Sequence, residues 1–339
     1  MRLKLLLKRG ALLAAANWPL VLILFAAQTT FQGLLAVPVI GAAILVAVLL
    51  GGDLGNLLQG GMRDVFATIA AALTSEPFAL AAFVVAFGIV LVGGSALMFL
   101  VKGGVVDVML KADHRAGGIE REPLRLSVVR AGEAFSIDRF VAGCSRLFMR
   151  YLALGLVLMV AYAATAAAYL AFILYGYRWV TEGVPFLGWT AVAAVGTIVL
   201  FVWITAVNLI YLLLQIVTAA GAPTLWAAVR TSVGFMAAEI GELSRLFVVV
   251  FGMVVAAWLA SALAWSGVGL IAFVPLVGLA VFPLQIAALL LRGLVFEYIG
   301  LTAMGAYASL YRHHRGAQAP GGGRETGAMA GAVADPRRA

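Results

Sequence analysis

Charged side chains are scarce in this chain. Only 11% of its 339 residues are Asp, Glu, Lys or Arg, while 64% are hydrophobic. A soluble domain carries about 25% charged residues, so a water-facing globular surface is excluded. Cysteine is nearly absent: Cys144 stands alone, which excludes an internal disulfide framework. Histidine occurs three times, as His114, His313 and His314, with no HExxH, CxxC or paired-carboxylate motif beside it. No Gly-rich phosphate loop stands between a strand and a helix. The chain is therefore read as a non-enzyme without metal or cofactor. The alternating ten-residue stretches of a membrane β-barrel are missing too.

What is present is long apolar runs, with a mean hydropathy of +1.08. Several exceed 18 residues, enough to cross ~30 Å of hydrocarbon as a helix. The expected class is an all-α polytopic transmembrane bundle. Spans are drawn at Pro77–Val101, Tyr151–Tyr175, Phe186–Ala219, Leu246–Trp265 and about Pro283–Tyr311. Residues 1–50 hold two further runs, Ala11–Ala27 and Gly33–Leu50, divided by QTTFQ. They are read either as two short crossings or as one crossing joined to a kinked or re-entrant piece, with Gly33 and Pro38 as breakers. The start, MRLKLLLKRGALLAAANWPLVLILFAA, has the basic-then-apolar order of a signal peptide. It is read as an uncleaved segment entering the first span.

Charge favours one crossing. With residues 1–50 crossing once, 20 of the 23 Lys and Arg fall on one side, in residues 1–10, 102–150, 218–245 and 312–339. Cytoplasmic loops carry this excess. The expectation is six crossings in a bacterial inner membrane, with both termini cytoplasmic. The pI near 9.9 then reflects anchoring to membrane lipids, not nucleic acid. The intervening Val65–Leu73 segment is expected as an interfacial helix on the outer face. Residues 1–315 are taken as one membrane domain, and the Gly/Ala/Pro-rich stretch 316–339 as a disordered tail.

One phrase recurs. SRLF stands at Ser145–Phe148 and at Ser244–Phe247. Upstream, Pro123, Val129-Arg130 and Phe135 recur as Pro223, Val229-Arg230 and Phe235 at an offset of 100, and one deletion brings the offset of SRLF to 99. This ordered series marks an internal repeat, with units at about 77–175 and 186–266. Both copies start from the same side, so the repeat is parallel. Each Pro follows a Gly-containing turn, Ala116–Gly118 or Ala220–Ala222, and is placed in the first turn of a surface helix. In copy two Leu225, Val229, Val233, Met236, Ile240, Leu243 and Phe247 make one apolar helical face, with Arg230, Glu239, Glu242 and Arg245 off it. Copy one keeps the end of that face at Ile137, Val141, Cys144 and Phe148. An amphipathic surface helix bending at SRLF into the next span is expected.

This layout of six spans and surface helices, with a last span ending in SLYRHHR (Ser309–Arg315), resembles a group of uncharacterised bacterial membrane proteins related to the membrane domain found beside glycerophosphodiester phosphodiesterases. The resemblance covers about residues 77–315. The phosphodiesterase catalytic domain has no counterpart here, so the resemblance implies no activity.

Candidate functional residues fall in two groups. Arg130, Arg146, Arg230 and Arg245 lie where guanidinium groups reach lipid phosphate while their stems stay apolar. Arg292 and Glu297, with Asn208 as a polar candidate on another span, are rare intramembrane polar groups. The runs Gly103–Val106 and Gly93-Gly94 are read as helix-packing or bending positions. Asp107, Asp113 and His114 are read as a solvated surface segment, and His313-His314 as a basic membrane edge. The expected function is binding of lipid, or of another membrane protein. The alternative is a small-solute transporter or channel using Arg292 and Glu297.

Overall fold

A computed structural model describes residues 3–50, 77–123, 125–181, 186–272 and 277–318. Every regular element among them is helical. In chain order they are α1 Leu3–Ala16, α2 Trp18–Leu50, α3 Pro77–Arg115, a 3-10 turn Ile119–Arg121, α4 Leu126–Ala131, α5 Ile137–Thr181, α6 Phe186–Ala219, α7 Leu225–Ala238, α8 Ile240–Ala272 and α9 Val277–Gln318. Six helices (α2, α3, α5, α6, α8 and α9) are long and apolar enough to cross a membrane, so the chain is a multi-pass transmembrane protein. Residues 1–50 contribute one such span, because α2 continues through Gly33 and Pro38 without a break. The expected interfacial helix at 65–73 lies outside the described residues, as does the tail beyond 318. Residues 316–318, expected in that tail, continue α9.

The chain divides into two compact units. The smaller is Ile23–Lys102. Within it Gly94 meets the Phe31 ring so closely that an added Cβ would overlap it, which makes this glycine a helix-packing position. The larger unit comprises Met1–Leu22 and Gly103–Ala339. Its buried side chains gather toward one end of each long helix. They include Val105, Val108 and Met109 of α3, Leu147, Tyr151 and Leu154 of α5, Leu213, Ile216 and Val217 of α6, and Leu301–Tyr311 of α9. Tyr151 ties two of these ends by donating to the Gln215 carbonyl at 2.8 Å. Beyond them the helices expose Val157, Val160, Val195, Ile198, Leu290 and Leu291. Lipid is as apolar as these residues, so nothing drives the bare ends together.

The helix α1 packs along the buried end of α9. Gly10 makes the approach possible: a Cβ there would overlap the Thr302 carbonyl and crowd the Ala306 amide. Gly104 does the same for α3 on α5, where a side chain would run into Cys144 and Phe140.

Both copies of the repeat run helix, turn, short helix, long helix. Left-handed glycines end the first helix in each, Gly117 at φ 55° and Gly221 at φ 106°, as helix C-termini prefer. Three expectations need correction. The prolines do not enter the first turn: α4 and α7 begin at Leu126 and Leu225, and Thr224 caps α7 by accepting from the Ala227 amide at 3.1 Å. Nor does the chain bend at SRLF. The break comes earlier, at 132–136 in copy one and at Glu239 in copy two, and SRLF lies inside α5 and α8. The anticipated apolar faces are also rotated. The helix α7 buries Ala228, Ser232 and Phe235 and exposes Trp226 and Val233. In copy one Ile137 and Val141 are exposed, while Cys144 and Leu147 are buried. Hydrophobicity alone does not separate a face toward protein from a face toward lipid.

The two copies break at different places because of Asn17. Its Nδ2 donates to the carbonyls of Leu13 and Gly132, both at 2.9 Å. Its Oδ1 accepts from the amides of Ala134 (2.9 Å) and Phe135 (3.0 Å). This fully buried amide thus supplies the partners that helical backbone bonds would otherwise give to 132–136. Replacing Asn17 by Ala strands three of these backbone groups. At about 1–3 kcal/mol for each buried orphan, Asn17→Ala is expected to cost roughly 3 kcal/mol or more, read as a lower unfolding midpoint in detergent with SDS.

Candidate functional site

The face of α1 that meets α9 carries an arginine. Arg9 is 1% exposed. Its Nε contacts Asp113 Oδ1 at 2.6 Å, its Nη1 contacts Glu120 Oε2 at 2.6 Å, and its Nη2 donates to the Asp113 carbonyl at 2.8 Å. Nη1 also donates to the carbonyl of Gly117, the left-handed residue that ends α3. From α9, Arg312 Nε lies 3.1 Å from Asp113 Oδ2, and the Ser309 hydroxyl donates to Asp113 Oδ1 at 2.7 Å. Two cations and two carboxylates from α1, α3, the 3-10 turn and α9 therefore balance. Burial of an ion is tolerated where pairing and hydrogen bonds are this complete. Pairing of this kind suits a cluster that holds structure.

A second acid, Asp107 on α3, is also buried. It pairs with Lys111 one turn on, at 2.6 Å, and with Arg146 of the first SRLF. Asp107 and Asp113 are thus not a solvated segment as expected; only His114 of that trio is exposed. Among the described residues no group of three or more His, Cys, Asp or Glu is placed to hold a metal.

The four arginines expected at lipid phosphate differ in setting. Arg130 ends α4 and Arg230 lies on α7, both exposed. The Arg146 side chain is 57% exposed despite its bond to Asp107, and Arg245 contacts Glu242 loosely at 3.5 Å. The two SRLF arginines therefore hold different carboxylates. Arg292 is exposed nine residues from both Pro283 and Leu301, about 14 Å along a helix from each. Its guanidinium lies 5.8 Å from the Phe296 ring centre. It lines an apolar groove of about 280 Å³ between α8 and α9, where Ser261 and Gln285 are the other polar side chains. Glu297 is half-buried and is not part of that lining. Asn208 joins neither: it accepts from the Tyr162 hydroxyl at 2.7 Å and so links α6 to α5.

A larger, more polar cavity of about 450 Å³ opens where the ends of α6 and α9 meet α7. Tyr311, His314 and Arg315 line it from one face of α9, at helical spacings of three and four. Thr231, Gly234 and Phe235 line it from α7 at the same spacings, and Gly221–Pro223 close it. His314 Nδ1 is 3.2 Å from Glu239 Oε1, and its ring packs on Phe235. Arg315 donates to the Ala220 carbonyl at 3.1 Å, and Arg150 to the Ala222 carbonyl at 3.0 Å. The only sequence signal for this cavity is the spacing within SLYRHHR.

Comparison with known proteins finds no matching family model, curated protein or solved structure. Nothing there bears on the resemblance to the phosphodiesterase-associated membrane domain.

Glu120 makes the Arg9 cluster sensitive to pH. Burial pushes its carboxyl upward, but its backbone hydrogen bond and the bond and charge of Arg9, helped by Arg121, outweigh that and hold it below the ordinary value. A carboxyl lowered on folding stabilises the protein fully above its unfolded value, and that stabilisation is lost as pH falls through the folded value. Glu120→Gln is therefore expected to melt below the native protein at about pH 7. The gap should narrow as pH falls below the ordinary glutamate value, about 4.3, in a melting series across pH.

Proposed function

We propose that this multi-pass protein resides in a bacterial plasma membrane with both termini in the cytoplasm, and that it binds anionic lipid without catalysing a reaction. The topology follows from the one-sided distribution of Lys and Arg. The observation that carries the binding reading is a pair of equivalent motifs in the repeat. Leu126 and Arg130 on α4 correspond to Trp226 and Arg230 on α7. Both apolar side chains stand bare, at 79% and 76% exposure, and an exposed arginine follows each one turn later. An apolar side chain beside a guanidinium is suited to the boundary where acyl chains meet phosphate. Arg146 and Arg245 extend the same basic rim from the starts of α5 and α8.

The groove at Arg292 favours the alternative, a small-solute transporter or channel. Its walls are apolar on both helices, and a hydrated path would have little besides Arg292, Ser261 and Gln285 to line it.

Near an anionic surface each arginine contributes about 1 kcal/mol. Replacing Arg130 and Arg230 together by Gln is thus expected to lower retention of phosphatidylglycerol roughly 30-fold. Native mass spectrometry of protein released from mixed-lipid nanodiscs reads this, with phosphatidylcholine as the reference. Unchanged retention contradicts the reading.

A further inference from the structure

We propose that the cavity between α7 and the ends of α6 and α9 is a binding site for a phosphate ester. This deepens the lipid reading and rests on it: the occupant is the headgroup phosphate of an anionic lipid, or a soluble ester of the same chemistry.

At about 450 Å³ the cavity falls within the range of small-ligand sites. Its polar groups converge from different elements. Arg315 has five N–H donors, of which one goes to the Ala220 carbonyl. The lining also offers hydroxyls from Thr231 and Tyr311. The carbonyls at the end of α6, which would repel an anion, are engaged: Ile216, Val217 and Thr218 accept from the amides of Ala220, Ala222 and Gly221, while Arg315 and Arg150 take the Ala220 and Ala222 carbonyls of the turn that follows. The nearby carboxylate of Glu239 is engaged by His314. Pro223, just before α7, is part of the wall, so the positive end of a 14-residue helix adds to the field beside the site.

The glycine in the wall gives a way to close the site. A Cβ at Gly234 meets nothing within 4 Å, so the backbone accepts Gly234→Leu and the side chain fills the cavity. The full-length protein, Gly234→Leu and Arg315→Gln are compared with two probes. Glycerol 3-phosphate is added to protein in detergent and read by calorimetry. Retained phosphatidylglycerol is read by native mass spectrometry from nanodiscs. Melting curves establish that each variant is folded.

The expected result is a loss of roughly 10-fold or more in phosphatidylglycerol retention for both variants, with phosphatidylcholine unaffected. Binding of glycerol 3-phosphate that both variants abolish, with lipid retention unchanged, also supports the phosphate site and identifies a soluble source. The proposal is overturned if folded Gly234→Leu and Arg315→Gln bind both probes as the native protein does. If the variant lacking Arg130 and Arg230 loses lipid in that case, the rim reading stands and the cavity alone fails. If the native protein shows no preference for phosphatidylglycerol over phosphatidylcholine, the lipid reading fails, whatever glycerol 3-phosphate does.

Discussion

The guanidinium of Arg9 lies against the carboxylates of Asp113 and Glu120, and Asp113 in turn holds Arg312. Four separate segments meet at this buried, charge-balanced cluster. The close contact of Gly10 with Thr302 and Ala306 favours one register of α1 on α9, and the buried charges reinforce it. Arg9 meets its two acids in that same register. A buried ion pair is not intrinsically more stabilising than a hydrophobic replacement, but removing one partner is severe. Its contribution here is to position.

From that fixed end the rest follows. With α1 seated, Asn17 at its exit reaches the backbone of 132–136 and holds it out of the helix. This distinguishes the first copy of the repeat from the second, where α7 runs on to Ala238. The duplicated unit is thus kept in outline and altered in use. Copy one is tied to α1, while copy two stands beside the end of α9 and leaves a polar cavity there.

Composition and local chemistry made the architecture legible. Six spans, the duplicated unit and the glycines that end α3 and α6 all depend on properties of short segments, whereas the breaks expected at Gly33 and Pro38 do not occur, because α2 runs through both. The Arg9 cluster was not legible, because a charge is buried only when its partner arrives from elsewhere, here 104 residues away. Read locally, Arg9, Asp107 and Asp113 are indistinguishable from charges at a membrane edge. The rotation of the α7 face has a related cause: in lipid, large apolar residues such as Trp226 gain nothing by turning inward. Of the site residues anticipated, Arg130 and Arg230 stand exposed as expected, Arg146 has a second role at Asp107, and Asn208 serves helix pairing.

Arg9 is expected to fix the packed end of the larger unit. Hydrogen exchange across residues 301–311 of Arg9→Met, compared with the native protein in the same nanodiscs, tests it most directly. Loss of protection along that whole segment is expected, with a stability loss of about 3–5 kcal/mol for the orphaned acids. Native-like protection of 301–311 in a folded Arg9→Met protein would contradict it.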